Sequence, residues 1–352
     1  MLAYILFIFL YASLLVSQDP NSVEPVPENH AWDVLVTKLD VEERSWLLMW
    51  QGSDEGQVLI RQYLADYPDS PHREQAFYLR AVGYWSMFEY EVAAGAYAEY
   101  LSSYPDQQRS SLAMTRHVQS LIRSDQPAKA IIVAESYKSK PAAEQRQLAV
   151  IDALLLQGNV SEAKGQLQTL IDMAENNPRA GRMIEMLEAK KQQLELIGKP
   201  LASFSVKAWN TGKQIDPGTF RGHVLLLEFW ATWCRPCMAQ MPHLVQLYQR
   251  LHDRGFDILG IDLDQDVSRL KAVTESMGIT WPQFNDGRKW DNAMAVSFDV
   301  RRIPFTILVD RIGIVRYVGA PAASLDRLVE ELLGEGSSKK ILDESSQPGP
   351  IR

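Results

Sequence analysis

The chain has 352 residues, of which 46% are hydrophobic and 23% are charged. These values are ordinary for a globular protein of two or three domains, and they exclude a disordered chain, a collagen-like fibre and a polytopic membrane protein. The net charge is −8, from 36 Lys and Arg against 44 Asp and Glu, which argues against nucleic acid as a partner. The chain has only two cysteines, Cys234 and Cys237, so a disulfide scaffold is excluded as well.

The first 17 residues predict the cellular compartment. Residues 2–16 are apolar or aromatic except for Ser13, and this run is shorter than the roughly 20 residues that a membrane-spanning helix needs. We therefore expect residues 1–17 to be a signal peptide, or an N-terminal anchor if they are not cleaved, although no Lys or Arg precedes the run. Both outcomes predict a periplasmic or secreted protein, with a membrane contact only through residues 1–17 when they are retained.

The next two segments predict a linker and a helical domain. Residues 18–32 contain three prolines and predict a linker. Residues 33–195 show apolar residues at helical spacing, and the motif Tyr-Leu-x-x-Tyr-Pro-Asp at 63–69 recurs at 100–106. The spacing of small and aromatic residues around the second copy resembles a tetratricopeptide repeat, which predicts an all-α array that binds a docking partner. A generic helical bundle with a chance repeat remains the alternative.

Residues 196–335 alternate between strands and helices. Strands are predicted at 223–230 and 256–263, helices at 236–254, 267–277 and 290–298, and a hairpin at 304–310 and 314–318. The apolar run of the first strand suits a sheet that is covered on both faces. A helix at 325–333 closes the domain, and residues 336–352 predict a disordered tail. At about 140 residues, this domain is long enough to fold alone.

The two cysteines lie where the first strand meets the next helix, in the segment Trp233-Cys234-Arg235-Pro236-Cys237. Two intervening residues place both sulfurs within disulfide reach in the first helical turn. Cys234 then lies at the helix N-terminus, where the unpaired N–H groups, the helix dipole and Arg235 stabilise a thiolate. We therefore predict that Cys234 attacks a disulfide and that Cys237 resolves the mixed disulfide.

This segment resembles the TlpA/ResA-like thiol–disulfide oxidoreductases of the thioredoxin superfamily. The resemblance rests on the residues FWATWCRPC at 229–237, Met-Pro at 241–242 and RRIP at 301–304, and it spans about 40% of the chain. It implies a multidomain chain, in which the helical array is followed by an α/β thioredoxin fold with a central mixed sheet and flanking helices. It also implies disulfide exchange with partner proteins, an unidentified upstream electron donor and no bound cofactor or metal.

The resemblance implies roles for single residues. Pro304 matches the cis-proline that orients the incoming disulfide, and Glu228 matches the buried acid that takes the proton of Cys237. We expect substrate contacts from Trp233, Arg235 and Ile303. Two positions depart from the family: Gln240 replaces a glutamate of ResA-type reductants, and Phe305 replaces the usual threonine, which predicts a more apolar rim for the partner.

Other interpretations of the cysteine pair are weaker. A zinc site needs four ligands, and the sequence has no second cysteine pair. A peroxiredoxin-like thiol peroxidase would need Thr in the pattern P-x-x-x-T-x-x-C, but position 231 is Ala. A protein-binding scaffold, in which the helical repeats have the main role, is the alternative from a different functional class.

Overall fold

The computed structural model describes residues 27–38, 54–137, 143–177 and 180–344. The predicted signal peptide or anchor therefore lies outside the described residues, as does most of the predicted linker. The chain forms two compact units, residues 1–87 and 88–352. In the part of the chain that the structure describes, no helix is long and apolar enough to cross a membrane.

The first unit contains three described helices: α1 (Glu28–Lys38), α2 (Asp54–Asp66) and α3 (Arg73–Ser86). The linker prediction for 18–32 is wrong from residue 28 onward, because α1 begins directly after Pro27, where the acidic Glu28 suits the first turn of a helix. The ring of Trp32 stacks on His72 with centroids 4.5 Å apart, and Tyr63 donates a hydrogen bond to Glu28. These contacts join the three helices.

Six more helices open the second unit: α4 (Tyr90–Ser103), α5 (Ser110–Arg123), α6 (Pro127–Ser136), α7 (Ala143–Leu156), α8 (Val160–Glu175) and α9 (Gly181–Leu194). Each packs on the next, and α5 also packs on α7, as expected of stacked helices. Both copies of the repeat motif place a tyrosine pair at a helix end: Tyr63 and Tyr67, then Tyr100 and Tyr104, with interplanar angles of 37°. The helical region is confirmed, whereas its tetratricopeptide character stays a prediction.

A five-stranded mixed sheet follows, with the strand order β5-β4-β3-β6-β7. Its strands are β3 (Val224–Trp230), β4 (Phe256–Asp262), β5 (Gln283–Phe284), β6 (Phe305–Val309) and β7 (Val315–Val318), and the short strands β1 (Val206–Lys207) and β2 (Gln214–Ile215) pair separately. Strands β3, β4 and β5 run parallel, while β6 and β7 are antiparallel to their neighbours. All seven residues of β3 are buried, which confirms the covered central strand.

Four helices flank this sheet: α10 (Arg235–Leu251), α11 (Val267–Met277), α12 (Ala293–Ser297) and α13 (Ala322–Glu344). The helix predicted at 290–298 is shorter, because Asn292 caps α12 by accepting hydrogen bonds from two backbone N–H groups. The predicted disordered tail is wrong for residues 336–344, which continue α13. No proline lies between Ala322 and Glu344, and Gly334 and Gly336 each cost a helix only about 1 kcal/mol.

The apolar core of the sheet continues into the helical array. The same cluster of buried side chains contains Leu226 of β3 and Leu121, Ala130 and Leu156 of the array. An ion pair supports this contact, since Arg327 of α13 donates two hydrogen bonds, of 3.0 and 2.8 Å, to the carboxylate of Asp125. Helices α4 to α7 therefore share one core with the sheet, and removal of the array would expose apolar surface of the thioredoxin-like part.

This shared core predicts that a cavity in the array will loosen the central strand. Leu121→Ala should cost about 2–5 kcal/mol of unfolding free energy, the usual range for a buried leucine. Hydrogen exchange of the β3 amides, followed by mass spectrometry, should speed up in this variant. Leu167→Ala is the matched control, because Leu167 is equally buried but belongs to a separate cluster formed by helices α7 to α9. Equal protection of β3 in wild type and Leu121→Ala would contradict the shared core.

Candidate active site

The two cysteines form a disulfide at the junction of β3 and α10. Their Cα atoms are 5.2 Å apart, and Cys234 is the N-cap residue of α10, where its Sγ accepts a 3.2 Å hydrogen bond from the backbone N–H of Cys237. Pro236 occupies the first turn, where its missing N–H costs nothing. A thiolate at Cys234 would accept a hydrogen bond from the same N–H and would be stabilised by the positive end of the helix dipole.

Both cysteines are buried in the disulfide form. The exposed fraction of Cys234 is 5%, against 0% for Cys237. Their neighbours Trp233, Arg235 and Pro236 are exposed to solvent. Cys234 is thus the more accessible of the two residues.

An exposed tryptophan pair borders the disulfide. Trp233 and Trp290 are 43% and 42% exposed, and their ring centroids lie 6.1 Å apart. Trp290 also lines a shallow cavity of about 470 Å³, together with Val296, Val300 and Arg301. The sequence pattern alone does not place Trp290 at the active site, because its position beside Trp233 depends on how the loop before α12 folds.

The peptide bond between Ile303 and Pro304 is cis, as the resemblance implied for Pro304. In the antiparallel pairing of β3 and β6, Phe305 lies opposite Phe229, so Pro304 is placed at the end of β3 from which the cysteine segment begins. The expectation of an apolar rim at Phe305 is wrong. Its side chain is only 3% exposed, because it points into the core and packs edge-on against the ring of Phe229.

Glu228 lies fully buried in the middle of β3, so it is not a surface acid on an edge strand. Burial raises its pKa well above the ordinary value, while a hydrogen bond from Gln240 opposes this shift. Gln240 Nε2 donates that bond to Glu228 Oε1 over 2.6 Å, and Glu228 Oε2 has no hydrogen-bond partner among the described residues. Burial therefore favours the protonated form of the carboxyl group when the disulfide is formed.

The contact between Glu228 and Gln240 relates the acid to the resolving cysteine. Gln240 follows Cys237 by three residues on α10, so the two side chains lie on one face of that helix. The carboxyl group of Glu228 therefore lies against the segment of α10 that carries Cys237. The amide at position 240 supplies a hydrogen-bond donor, where a glutamate would place a second carboxyl group.

These features define a class of protein. It has a thioredoxin fold with a dithiol–disulfide pair at the start of the helix after the central strand, a buried acid in that strand and a cis-proline directly before the neighbouring strand. Comparisons with known proteins agree with this class. The AhpC/TSA family model matches residues 197–318. The thiol-disulfide oxidoreductase ResA of Bacillus thuringiensis (strain Al Hakam) is 27% identical over 154 residues, which cover 44% of this chain and 78% of that protein.

Two further comparisons cover the same region. ResA of Geobacillus kaustophilus (strain HTA426) is 29% identical over 99 residues, or 28% of this chain and 55% of that protein. The C-terminal domain of a putative thiol-disulfide oxidoreductase from Bacteroides thetaiotaomicron is 24% identical, with a TM-score of 0.37 and coverage of 40% of this chain and 97% of that one. The chain thus carries a ResA-like thiol–disulfide oxidoreductase domain, which follows a helical N-terminal region.

The raised pKa of Glu228 predicts a pH-dependent cost in stability. The folded protein keeps a proton on Glu228 above pH about 4.3, where an unfolded glutamate loses it, so stability falls as pH rises from there toward the folded pKa. Glu228→Gln removes this slope. The free energy of unfolding of oxidised Glu228→Gln, relative to wild type, should rise by up to about 1.4 kcal/mol per pH unit above that point.

Denaturant unfolding between pH 4 and pH 8 measures this difference. Glu275→Gln is a suitable control, because it makes the same change at an exposed position on α11 and should show no such trend. A difference between Glu228→Gln and wild type that stays constant with pH would show that Glu228 is ionised in the folded protein.

Proposed function

We propose that this protein exchanges disulfides with partner proteins outside the cytoplasm, with Cys234 as the attacking sulfur and Cys237 as the resolving sulfur. The observation that carries the proposal is the position of Cys234 as the N-cap of α10, where its Sγ already accepts the backbone N–H of Cys237. Similarity to ResA supports the reaction class. The apolar residues 2–16 support export.

The reaction balances in two steps. In the reduced protein, the Cys234 thiolate attacks a disulfide of the partner, which forms a mixed disulfide and releases one partner thiolate. Cys237 then attacks Cys234 Sγ, which forms the internal disulfide and releases the second partner thiolate. The partner gains two electrons, and an upstream thiol protein, itself oxidised, returns two electrons to this protein.

Glu228 accepts the proton that the Cys237 thiol loses in the second step. The support is the burial of Glu228, which raises its pKa and so favours the protonated form that such a transfer would leave behind. When the upstream thiol later reduces the disulfide, the same proton can return to Cys237. Gln240 holds the carboxyl group in place through both half-reactions.

Side chains around the disulfide support a surface for the partner. Trp233 and Arg235 are exposed on either side of Cys234, while Ile303 is half-buried next to the cis-proline. We propose that these three residues contact the polypeptide that carries the partner disulfide. The helical array would supply a second contact and so raise the effective concentration of the partner.

Trapping tests the roles of the two cysteines. Cys237→Ser should accumulate mixed disulfides through Cys234, because the resolving step is blocked, whereas Cys234→Ser should accumulate at least about tenfold fewer, because Cys237 is fully buried and lacks the helix terminus. Non-reducing gels of cells that express each variant, followed by mass spectrometry, measure this. More trapping by Cys234→Ser would contradict the assignment.

Complementation of a deletion strain distinguishes the disulfide-exchange function from the scaffold alternative. A Cys234→Ser, Cys237→Ser protein should fail to complement a deletion strain if disulfide exchange is the main role. Full complementation by this protein would favour the helical region as the working part. Turnover of hydrogen peroxide with a thiol reductant, at a rate above disulfide exchange, would instead favour the thiol peroxidase.

The proton transfer predicts a selective kinetic defect. In Glu228→Gln, release of the partner from the mixed disulfide should slow by about 10²-fold, the lower range for loss of a general base, while formation of the mixed disulfide should change much less. Stopped-flow kinetics with a fluorescent disulfide peptide resolve the two phases. A slower first phase with an unchanged second phase would assign Glu228 to Cys234 or to structure alone.

A further inference from the structure

A pair of buried acids, separate from Glu228, lies beside the active-site loop, and the proposed reaction does not use it. Asp262 ends β4, Asp264 follows two residues later, and their exposed fractions are 0% and 4%. The parallel pairing places Asp262 opposite Trp230, the last residue of β3. Both acids therefore lie next to the turn that leads from β3 to Cys234.

Asp264 binds this turn directly. Its Oδ2 accepts the backbone N–H of Thr232 over 2.6 Å, and its Oδ1 accepts the Thr232 hydroxyl over 2.8 Å. Both carboxyl oxygens of Asp264 therefore act as acceptors toward Thr232. Thr232 precedes Cys234 by two residues, and the N–H of Cys234 bonds to the carbonyl of Ala231, so the residues that Asp264 holds are part of the turn that presents the attacking sulfur.

Asp262 supports the position of Asp264 through hydrogen bonds. Asp262 Oδ2 accepts the backbone N–H of Asp264 over 3.1 Å and also a hydrogen bond from the Asn285 amide, which in turn donates to the carbonyl of Asp264 over 2.8 Å. Asp262 Oδ1 is buried and receives no hydrogen bond from any donor among the described residues. A proton on Asp262, directed toward Asp264, would satisfy this oxygen and remove the repulsion between two adjacent buried carboxylates.

We propose that Asp264 is a positioning residue that fixes the turn before Cys234 through Thr232, and that Asp262 keeps Asp264 in place by sharing one proton with it. The inference rests on the proposed function, because it assigns the turn a role in presenting Cys234 for disulfide exchange. It does not require Asp262 or Asp264 to contact the substrate.

The electrostatics agree with this arrangement. Burial, followed by the hydrogen bond and the negative charge of Asp264, raises the pKa of Asp262 to about 8, while Asn285 opposes the shift. The neighbouring elements present Trp230, Asn285 and Asn292 to this pair, all of them uncharged. Asp286 lies in the same loop as Asn285, but its carboxylate accepts the backbone N–H groups of Arg288 and Ala293. The shared proton is therefore lost as pH rises through about 8.

Loss of this proton should change the position of the turn before Cys234. Two adjacent buried carboxylates then repel each other, which weakens the hold of Asp264 on Thr232. The turn before Cys234 becomes less well positioned, so disulfide exchange should fall above pH 8, although the thiolate population of the cysteines does not fall with pH.

The decisive experiment uses the oxidised full-length protein, in which the cysteines do not titrate. Carboxyl ¹³C shifts of labelled aspartate, followed from pH 4 to pH 10, should show one aspartate with a midpoint near 8, and the Thr232 amide signal should follow the same midpoint. Asp262→Asn should abolish this transition at Thr232, and Asp264→Asn should lower the midpoint of Asp262. Asp257→Asn, the same change at the other end of β4, should leave it in place.

A kinetic arm tests the consequence for the turn. Thr232→Val, which lacks the hydroxyl donor, should slow mixed-disulfide formation by about tenfold, as expected for a lost hydrogen bond to a charged group, while Thr232→Ser should restore most of the rate. The wild-type rate should fall severalfold between pH 7 and pH 9, and the Asp262→Asn rate should not.

The outcomes separate this inference from the proposed function. If every aspartate titrates below pH 5, or if Thr232 does not sense the transition near pH 8, the shared proton is overturned even when the protein exchanges disulfides normally. Equal rates for Thr232→Val and wild type would overturn the positioning role. If the shared proton is found but wild-type protein exchanges no disulfides, the proposed function fails while the paired acids remain.

Discussion

A carboxyl group in the middle of a fully covered strand is the constraint on which the active site depends. Burial in β3 favours the neutral acid form of Glu228, because a buried carboxylate is costly. Burial favours the neutral form, and the single amide donor from α10 offsets only part of this effect. A group poised in this way can gain and lose one proton with the thiol chemistry beside it, without a net change in buried charge.

Several features could be predicted from the sequence because they are local. The apolar run of β3, the cysteine spacing and the helix after it are encoded in consecutive residues, and the structure confirms each of them. The Phe305 side chain could not be placed this way, because its inward direction depends on strand parity after a cis peptide bond. Thr232 and Asp264 are 32 residues apart, and only the parallel register between Trp230 and Asp262 brings them together.

The helical array and the redox site are linked by packing as well as by chain connectivity. Leucine and alanine side chains of α4 to α7 belong to the same apolar cluster as β3, and α9 reaches the loop before the cis-proline, where Gln193 donates a 3.1 Å hydrogen bond to the carbonyl of Asp299. A partner bound on this part of the array would therefore act on elements that also position the active site. The coupling needs no long-range pathway, because the core is shared.

The shared core also explains how the protein accommodates the two buried acids whose pKa values are raised. Glu228 and Asp262 both have raised pKa values, so each lowers stability as pH rises above the ordinary range of a carboxyl group. Such a loss is tolerable only in a fold that buries ample apolar surface, since net stabilities of domains are only about 5–15 kcal/mol. By packing array helices against the sheet, this chain enlarges the core around the strand that carries Glu228. The apolar surface that the array buries therefore offsets part of the cost of these two acids.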